Sequence, residues 1–195
     1  GYLLAFYFFF VKNVAVVLES ETPVWQRWGF PDESFTYPIL ATGDLNGDTL
    51  PDLLIGAEDG YIYAFRNIKY STQKGTFTAW ARESSWDSNI DFGDYAAPAL
   101  GDLDHDGDLD LLVGAEFKGL RAFANTAKTI KDDPQWEEQF NWTENLPFPP
   151  YSSPYYYATS PAPALADIDN DSDLDLLVGV NGGNLQGYSF FFQNL

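Results

Sequence analysis

Three observations on this 195-residue sequence point to an all-β repeat architecture. One stretch recurs three times, as GDLNGDTLPDLLIGAEDGYIYAFRN (residues 43–67), GDLDHDGDLDLLVGAEFKGLRAFAN (101–125) and ADIDNDSDLDLLVGVNGGNLQGYSFFFQN (166–194). In every copy an Asp-rich loop runs directly into a short run of Leu, Ile and Val. Gly and Pro punctuate short β-type segments throughout, with no amphipathic helical period. The copies begin at Asp44, Asp102 and Asp167, which are 58 and 65 residues apart, a self-similarity that marks a repeat array.

Each copy is predicted to contain the same succession of elements. A Pro/Ala/Leu stretch, such as Ala97 to Leu100 or Pro161 to Leu165, leads into the Asp loop, and Leu111 to Gly114 typifies the buried strand that follows. A Gly turn then opens a strand ending in Phe-x-Asn, at Asn67, Asn125 and Asn194. Segments around Trp25, Trp80 and Trp136 supply one more strand per unit. The whole chain reads as a single β-repeat domain. Residues 1–30 form the strands of a partial unit, followed by repeats at 31–84, 85–141 and 142–195, the last carrying a Pro/Tyr/Ser-rich insertion at 146–163. The ends are offset relative to the repeat: residues 1–13 resemble a closing Phe-x-x-Asn strand, and Leu195 falls where the next Trp strand is expected. With Gly1 first and no Met, the sequence is expected to be a processed or trimmed product, or one inferred without its start.

Composition excludes several function classes. A formal charge of −19 with only ten Lys and Arg argues against nucleic acid and anionic membrane surfaces, because both need clustered cations. No Cys is present, so neither disulfides nor thiolate zinc sites are available, and the single His105 leaves His-based triads without parts. The apolar stretch at 2–18 is interrupted by Lys12 and Asn13 and lacks a basic leader, which reads as strand and not as a membrane span or signal peptide.

Thirteen of the 29 acidic residues are Asp in the three loops, a concentration that suits cation ligands. In the second loop Asp102, Asp104, Asp106 and Asp110 take positions 1, 3, 5 and 9, Gly107 permits the turn at position 6, and Asp108 offers its backbone carbonyl at position 7. The first loop presents Asp44, Asn46, Asp48 and Asp52 with Leu50 as the carbonyl donor. The third presents Asp167, Asp169, Asp171 and Asp175 with Asp173. Hard oxygen donors at this density select Ca²⁺ over zinc, giving up to three calcium ions and a net charge of about −13 when all are bound. Thr49 and Ser172 replace Gly at position 6, so strain is expected in the first and third loops and the tightest site in the second. A solvated acidic turn is the bland alternative, but converging carboxylates repel without a cation. An EF-hand fails because position 12 is Ile55, Val113 or Val178, where a bidentate Glu is required.

The stretch DYAAPALGDLDHDGDLDLLVGAEFKGLRAFAN (94–125), with Phe92-Gly93 before it, resembles the FG-GAP or VCBS-like calcium-loop repeats of integrin α-subunit propellers and bacterial surface proteins. The resemblance implies a β-propeller-like array of four-stranded antiparallel blades, calcium between the first and second strands, and an extracellular or cell-surface location. Three loops with incomplete terminal blades fall short of the four to eight blades of a closed propeller, so either the chain is expected to be part of a longer propeller or its unpaired edges are expected to recruit another chain.

Two functional readings follow. In the first, the protein is a non-enzymatic extracellular structural or adhesive subunit that self-associates through exposed sheet edges, with residues 1–18 donated as a strand to build a fibre; those residues could equally pair within their own sheet. In the second, it is a glycan- or protein-binding propeller module, a fragment of a larger surface protein, with Tyr151, Tyr155, Tyr156 and Tyr157 as stacking surfaces. Glu58 and Glu116 occupy equivalent positions after the buried strands and could pass for a carboxylate pair, but their repetition indicates a structural role. Asn141 begins an Asn-Trp-Thr glycosylation sequon. Asn170 begins another, inside the third loop, where a glycan would obstruct a cation.

Overall fold

A computed structural model describes residues 33–72, 75–87, 90–116, 118–146, 160–182 and 186–194. The expected strands of residues 1–30, including Trp25, and the tyrosines of the insertion lie outside the described residues. Among the described residues eleven strands form three antiparallel sheets, each meandering in sequence order. The first sheet holds β1 (Ile39–Gly43), β2 (Asp52–Gly56), β3 (Ile62–Thr72) and β4 (Gly75–Arg82). The second holds β5 (Ala97–Gly101), β6 (Asp110–Ala115), β7 (Gly119–Asn125) and β8 (Trp136–Glu138), and the third β9 (Ala162–Ala166), β10 (Asp175–Gly182) and β11 (Gln186–Phe192). Among the described residues the only helices are single 3₁₀ turns at Ser84–Trp86 and Phe140–Trp142.

The register repeats from sheet to sheet. Gly43 faces Asp52, Gly101 faces Asp110 and Ala166 faces Asp175, so each Asp loop spans the gap between the first two strands of its sheet. The runs after the loops become second strands, and every residue of β2 and β6 is buried, which explains their unbroken apolar sequence. Trp80 and Trp136 lie on the outer strands β4 and β8.

Sheets stack in chain order through apolar seams. Leu54 and Ala64 of the first sheet meet Leu111, Val113 and Phe123 of the second. Leu112 and Ala122 on the opposite face of the second sheet meet Val178 and Val180 of the third. Backbone bonds fasten the first seam: the N–H groups of Phe92 and Ala96 donate to the carbonyls of Gly60 and Ala57 at 2.9 and 3.0 Å. The Trp136 indole N–H donates to the carbonyl of Trp86 at 2.9 Å.

Two glycines set how closely the sheets approach. A Cβ on Gly56 would lie 2.1 Å from the Ala96 carbonyl oxygen, and one on Gly114 would lie 1.9 Å from that of Pro161. Each glycine is a notch into which the chain entering the next sheet presses its backbone. Since the obstructing atom is backbone, the seam must open to admit a methyl. Gly114→Ala is therefore expected to cost about 1–3 kcal/mol, read as a lower urea midpoint at an unchanged slope.

Cationic side chains brace the faces in a manner not predicted. The Arg121 guanidinium sits over the Phe92 and Phe123 rings and forks onto Glu138 with two bonds of 2.7 Å. In the first sheet Arg82, from a different strand, covers Tyr63 and Phe65 and pairs with Asp87. The two arginines sit at unequal places in the repeat, so aligning the copies could not reveal their shared task.

Candidate metal centres

Each Asp loop folds around its own carboxylates. The position-1 Asp accepts from the backbone N–H groups of positions 5 and 6: Asp44 from Asp48 and Thr49, Asp102 from Asp106 and Gly107, Asp167 from Asp171 and Ser172, at 2.7 to 3.1 Å. Position 3, at Asn46, Asp104 and Asp169, accepts from the position-5 N–H, and position 5 accepts from the N–H of Leu50, Asp108 or Asp173. These nested turns curl alternate side chains to the inside of the loop.

Position 9 behaves differently. Asp52, Asp110 and Asp175 are fully buried at the start of β2, β6 and β10. One oxygen of each accepts from the position-2 N–H, at Leu45, Leu103 and Ile168, at 3.0, 2.7 and 3.0 Å. The other accepts at 2.9 Å from the backbone N–H of Asn67, Asn125 and Asn194. The fixed place of the Phe-x-Asn ending is thereby explained: the backbone N–H of its last residue caps the buried carboxylate. The Asn67 side chain also donates to the Pro51 carbonyl, while the Asn125 side chain accepts from Ala127 and Gln135.

The loops are strained at two positions, not one. Position 6 has positive φ in all three, at Thr49 (70°), Gly107 (96°) and Ser172 (81°), and so does position 4, at Gly47 (65°), His105 (62°) and Asn170 (65°). The first and second loops each relieve one of these with glycine, and the third relieves neither. Strain is thus present in the second loop as well, at His105. Gly47 and Asn170, residue types that tolerate this conformation, were the available signal. Gly47 has a further constraint, since a Cβ there would lie 2.4 Å from the Ile130 carbonyl oxygen.

A divalent cation suits the donor set. One oxygen each of Asp102, Asp104 and Asp106 lie within 4.8 Å of one another, as do oxygens of Asp167, Asp169 and Asp175. Asp44, Asp48 and Asp52 do not form such a group, with Asn46 taking the place of a carboxylate. The Asp108 side chain, expected to matter only through its backbone, is itself buried, with one oxygen lacking any hydrogen-bond partner. An orphaned anionic oxygen beside four more carboxylates calls for positive charge. His105 Nε2 lies 3.1 Å from an Asp173 oxygen, placing the second and third loops side by side.

Burial raises the Asp52 and Asp110 carboxyls to about 6 from the ordinary 3.8, against the lowering effect of their N–H bonds. Asp108 rises to about 6 by burial and then by the fields of Asp106, Asp110, Asp104 and Asp102. Glu116 is raised by burial and by Asp94. Its equivalent Glu58 accepts from the Tyr95 hydroxyl at 3.1 Å, across the first seam, and that bond is the main reason the Tyr95 hydroxyl holds its proton more tightly than usual. Glu58 is therefore occupied in packing. Asn141 is exposed on its 3₁₀ turn, as a glycan acceptor must be.

Residues 44–113, from the first ligand of the first loop to the middle of β6, match the family model of the FG-GAP-like repeat. The chain carries FG-GAP-like repeats. It is also similar to integrin alpha-PS5 of Drosophila melanogaster, with 30% identity over 164 residues. That stretch is 77% of this chain and 15% of the fly protein's length. The third FG-GAP-like copy lies beyond the family-model match and is identified by the internal repetition of sequence, register and loop bonding.

Two outcomes are expected. Asp110→Asn places an amide N–H against one of two buried N–H donors and should cost roughly 2–4 kcal/mol of unfolding free energy even with chelator present, at about 1–3 kcal/mol per unsatisfied group. For pH the sign follows from the raised values. Without cations the folded state holds these protons more tightly than the unfolded chain, so their contribution is full below about pH 4 and is lost as pH rises through about 6. In chelator the melting temperature should fall across that window, and the gain on adding calcium should be larger at about pH 7.5 than at about pH 5.5.

Proposed function

We propose that this chain is a non-catalytic, calcium-stabilised adhesion module of a cell-surface or extracellular protein, with one Ca²⁺ in each FG-GAP-like loop. The observation that carries this reading is the triple recurrence of one strained loop, anchored by a buried Asp to its sheet, with carboxylate oxygens gathered in the second and third copies. Positions 1, 3, 5 and 9 supply side-chain oxygens and position 7 a carbonyl, the hard, irregular set that Ca²⁺ accepts. Bound calcium neutralises the crowded carboxylates and compensates the φ strain, so it acts as a structural clip. Glu58, which could pass for half of a carboxylate pair, is committed to Tyr95, and His105 is exposed beside Asp173. Similarity to an integrin alpha chain supports the surface location and the adhesive role. No helix among the described residues is long and apolar enough to cross a membrane.

Self-association belongs to the same reading. Residues 1–18 are apolar and aromatic, and we assign them to strand addition between copies, extending the assembly into a fibre. The tyrosines at 151 and 155–157 support glycan or protein contact as the second reading, favoured only by their density in one segment.

Calorimetric titration of chelator-stripped protein tests the cation assignment. Up to three calcium ions should bind, with a melting-temperature gain of several degrees that Asp106→Ala reduces; zero stoichiometry and an unmoved melting curve would reject it. Deleting residues 1–18 should abolish assembly while leaving the folded monomer intact, as judged by sedimentation and circular dichroism.

A further inference from the structure

The second and third loops are joined by a direct side-chain contact. His105 Nε2 lies 3.1 Å from an oxygen of Asp173. His105 is position 4 of its loop, between the proposed ligands Asp104 and Asp106, and Asp173 is position 7, whose carbonyl is the proposed donor of the third loop. Each end is also fixed from within its own loop. His105 holds left-handed backbone at φ 62° while the residues on either side of it are bonded to each other, the Asp106 N–H donating to Asp104 at 3.3 Å. The Asp173 N–H donates to Asp171 at 3.0 Å. A shift at either end of the contact therefore moves a proposed ligand.

The first and second loops lack this contact. The same two positions there are Gly47 and Asp108. Gly47 has no side chain to offer, and one is excluded because a Cβ would lie 2.4 Å from the Ile130 carbonyl oxygen. Asp108, the counterpart of Asp173, is buried with one oxygen that has no hydrogen-bond partner. The apolar packing between neighbouring loops is alike in both gaps: a Cβ on Gly43 would lie 2.4 Å from Leu109 Cδ1, and one on Gly101 would lie 2.6 Å from Leu174 Cδ1. Leucine packing does not distinguish the gaps. The His–Asp contact does.

We infer that His105 couples the second and third cation sites, so that filling either one favours filling the other, while the first site fills on its own. The coupling rests on the calcium reading proposed above. A cation in the second loop fixes Asp104 and Asp106, and with them the backbone of His105. A fixed His105 holds Asp173, so part of the ordering cost of the third loop is met before its own cation arrives. By linkage the effect has the same size in the opposite direction. The field of one divalent cation opposes the arrival of a second, but it acts across both gaps, so a difference between the gaps isolates the contact. The two side chains are 51% and 37% exposed, which limits the coupling to about fivefold in a binding constant.

The position-6 amides report each site separately, because the N–H groups of Thr49, Gly107 and Ser172 donate to the position-1 Asp of their own loops at 2.7, 3.1 and 3.1 Å. Calcium titrations of the full chain at one pH are followed at these amides by nuclear magnetic resonance. Asp171→Ala in the third loop should raise the midpoint read at Gly107 by about threefold, and Asp106→Ala in the second should raise that read at Ser172 by the same factor. Asp48→Ala in the first loop should leave the Gly107 midpoint within about 1.5-fold. The contact is broken by His105→Asn, which keeps a residue type that tolerates left-handed backbone, or by Asp173→Leu, which installs the residue type of Leu50. In either background Asp171→Ala should move Gly107 no further than Asp48→Ala does. Unchanged amide shifts in β6 mark each variant as folded. Cross-talk that survives both contact-breaking variants would overturn the inference, as would a first-loop substitution that moves Gly107 as far as the third-loop one. Three amides that respond to calcium without any cross-talk would strike the coupling and leave the calcium reading standing. Three amides blind to calcium would reject that reading and the coupling with it.

Discussion

The buried carboxylate at position 9 is the interaction on which the rest depends. Asp52, Asp110 and Asp175 are each removed from solvent at the first residue of a central strand, and each ties the loop before it to the strand after next through two backbone N–H groups. A buried anion is costly unless its lone pairs are satisfied and its charge is offset. The hydrogen bonds meet the first need. They also fix where the loop begins and ends, so that its remaining carboxylates converge and the second need can be met by a cation. Sheet register, loop shape and the place where each repeat closes thus follow from one residue type at one place.

Strain and charge in the loops act together. Residues with side chains hold left-handed backbone at His105, Thr49, Asn170 and Ser172, a conformation that most side chains disfavour. Such geometry persists when surrounding bonds over-determine it, and the bonds from positions 1, 3 and 5 do so here. The same curvature points the carboxylates inward, where they repel one another. The energetic demand is therefore concentrated where positive charge relieves it most.

Much of this was legible in the sequence because it depends on residue type at fixed spacing. The three loops, the apolar strand runs beginning at Leu53, Leu111 and Leu176, and the Trp strands at Trp80 and Trp136 all repeat with the period. What escaped notice is not periodic or is not a side-chain property. Arg82 and Arg121 do one task from different strands, so no alignment of copies pairs them. The Asn of Phe-x-Asn acts mainly through its backbone N–H, which any residue could offer, and its bond partner lies 15 to 19 residues away. The positive φ at position 4 falls on Gly, His and Asn, a set with no single signature.

The notch glycines carry a consequence for how the stack loses its structure. Each seam joins only neighbouring sheets, so nothing inside a sheet dictates how many follow it, and stability accrues as a chain of nearest-neighbour couplings. The middle sheet is held on both sides, which is why β5 is buried along nearly its whole length while β1 and β9 are half exposed. Amide hydrogens of β6, buried along its length between two seams, should accordingly be among the last to exchange.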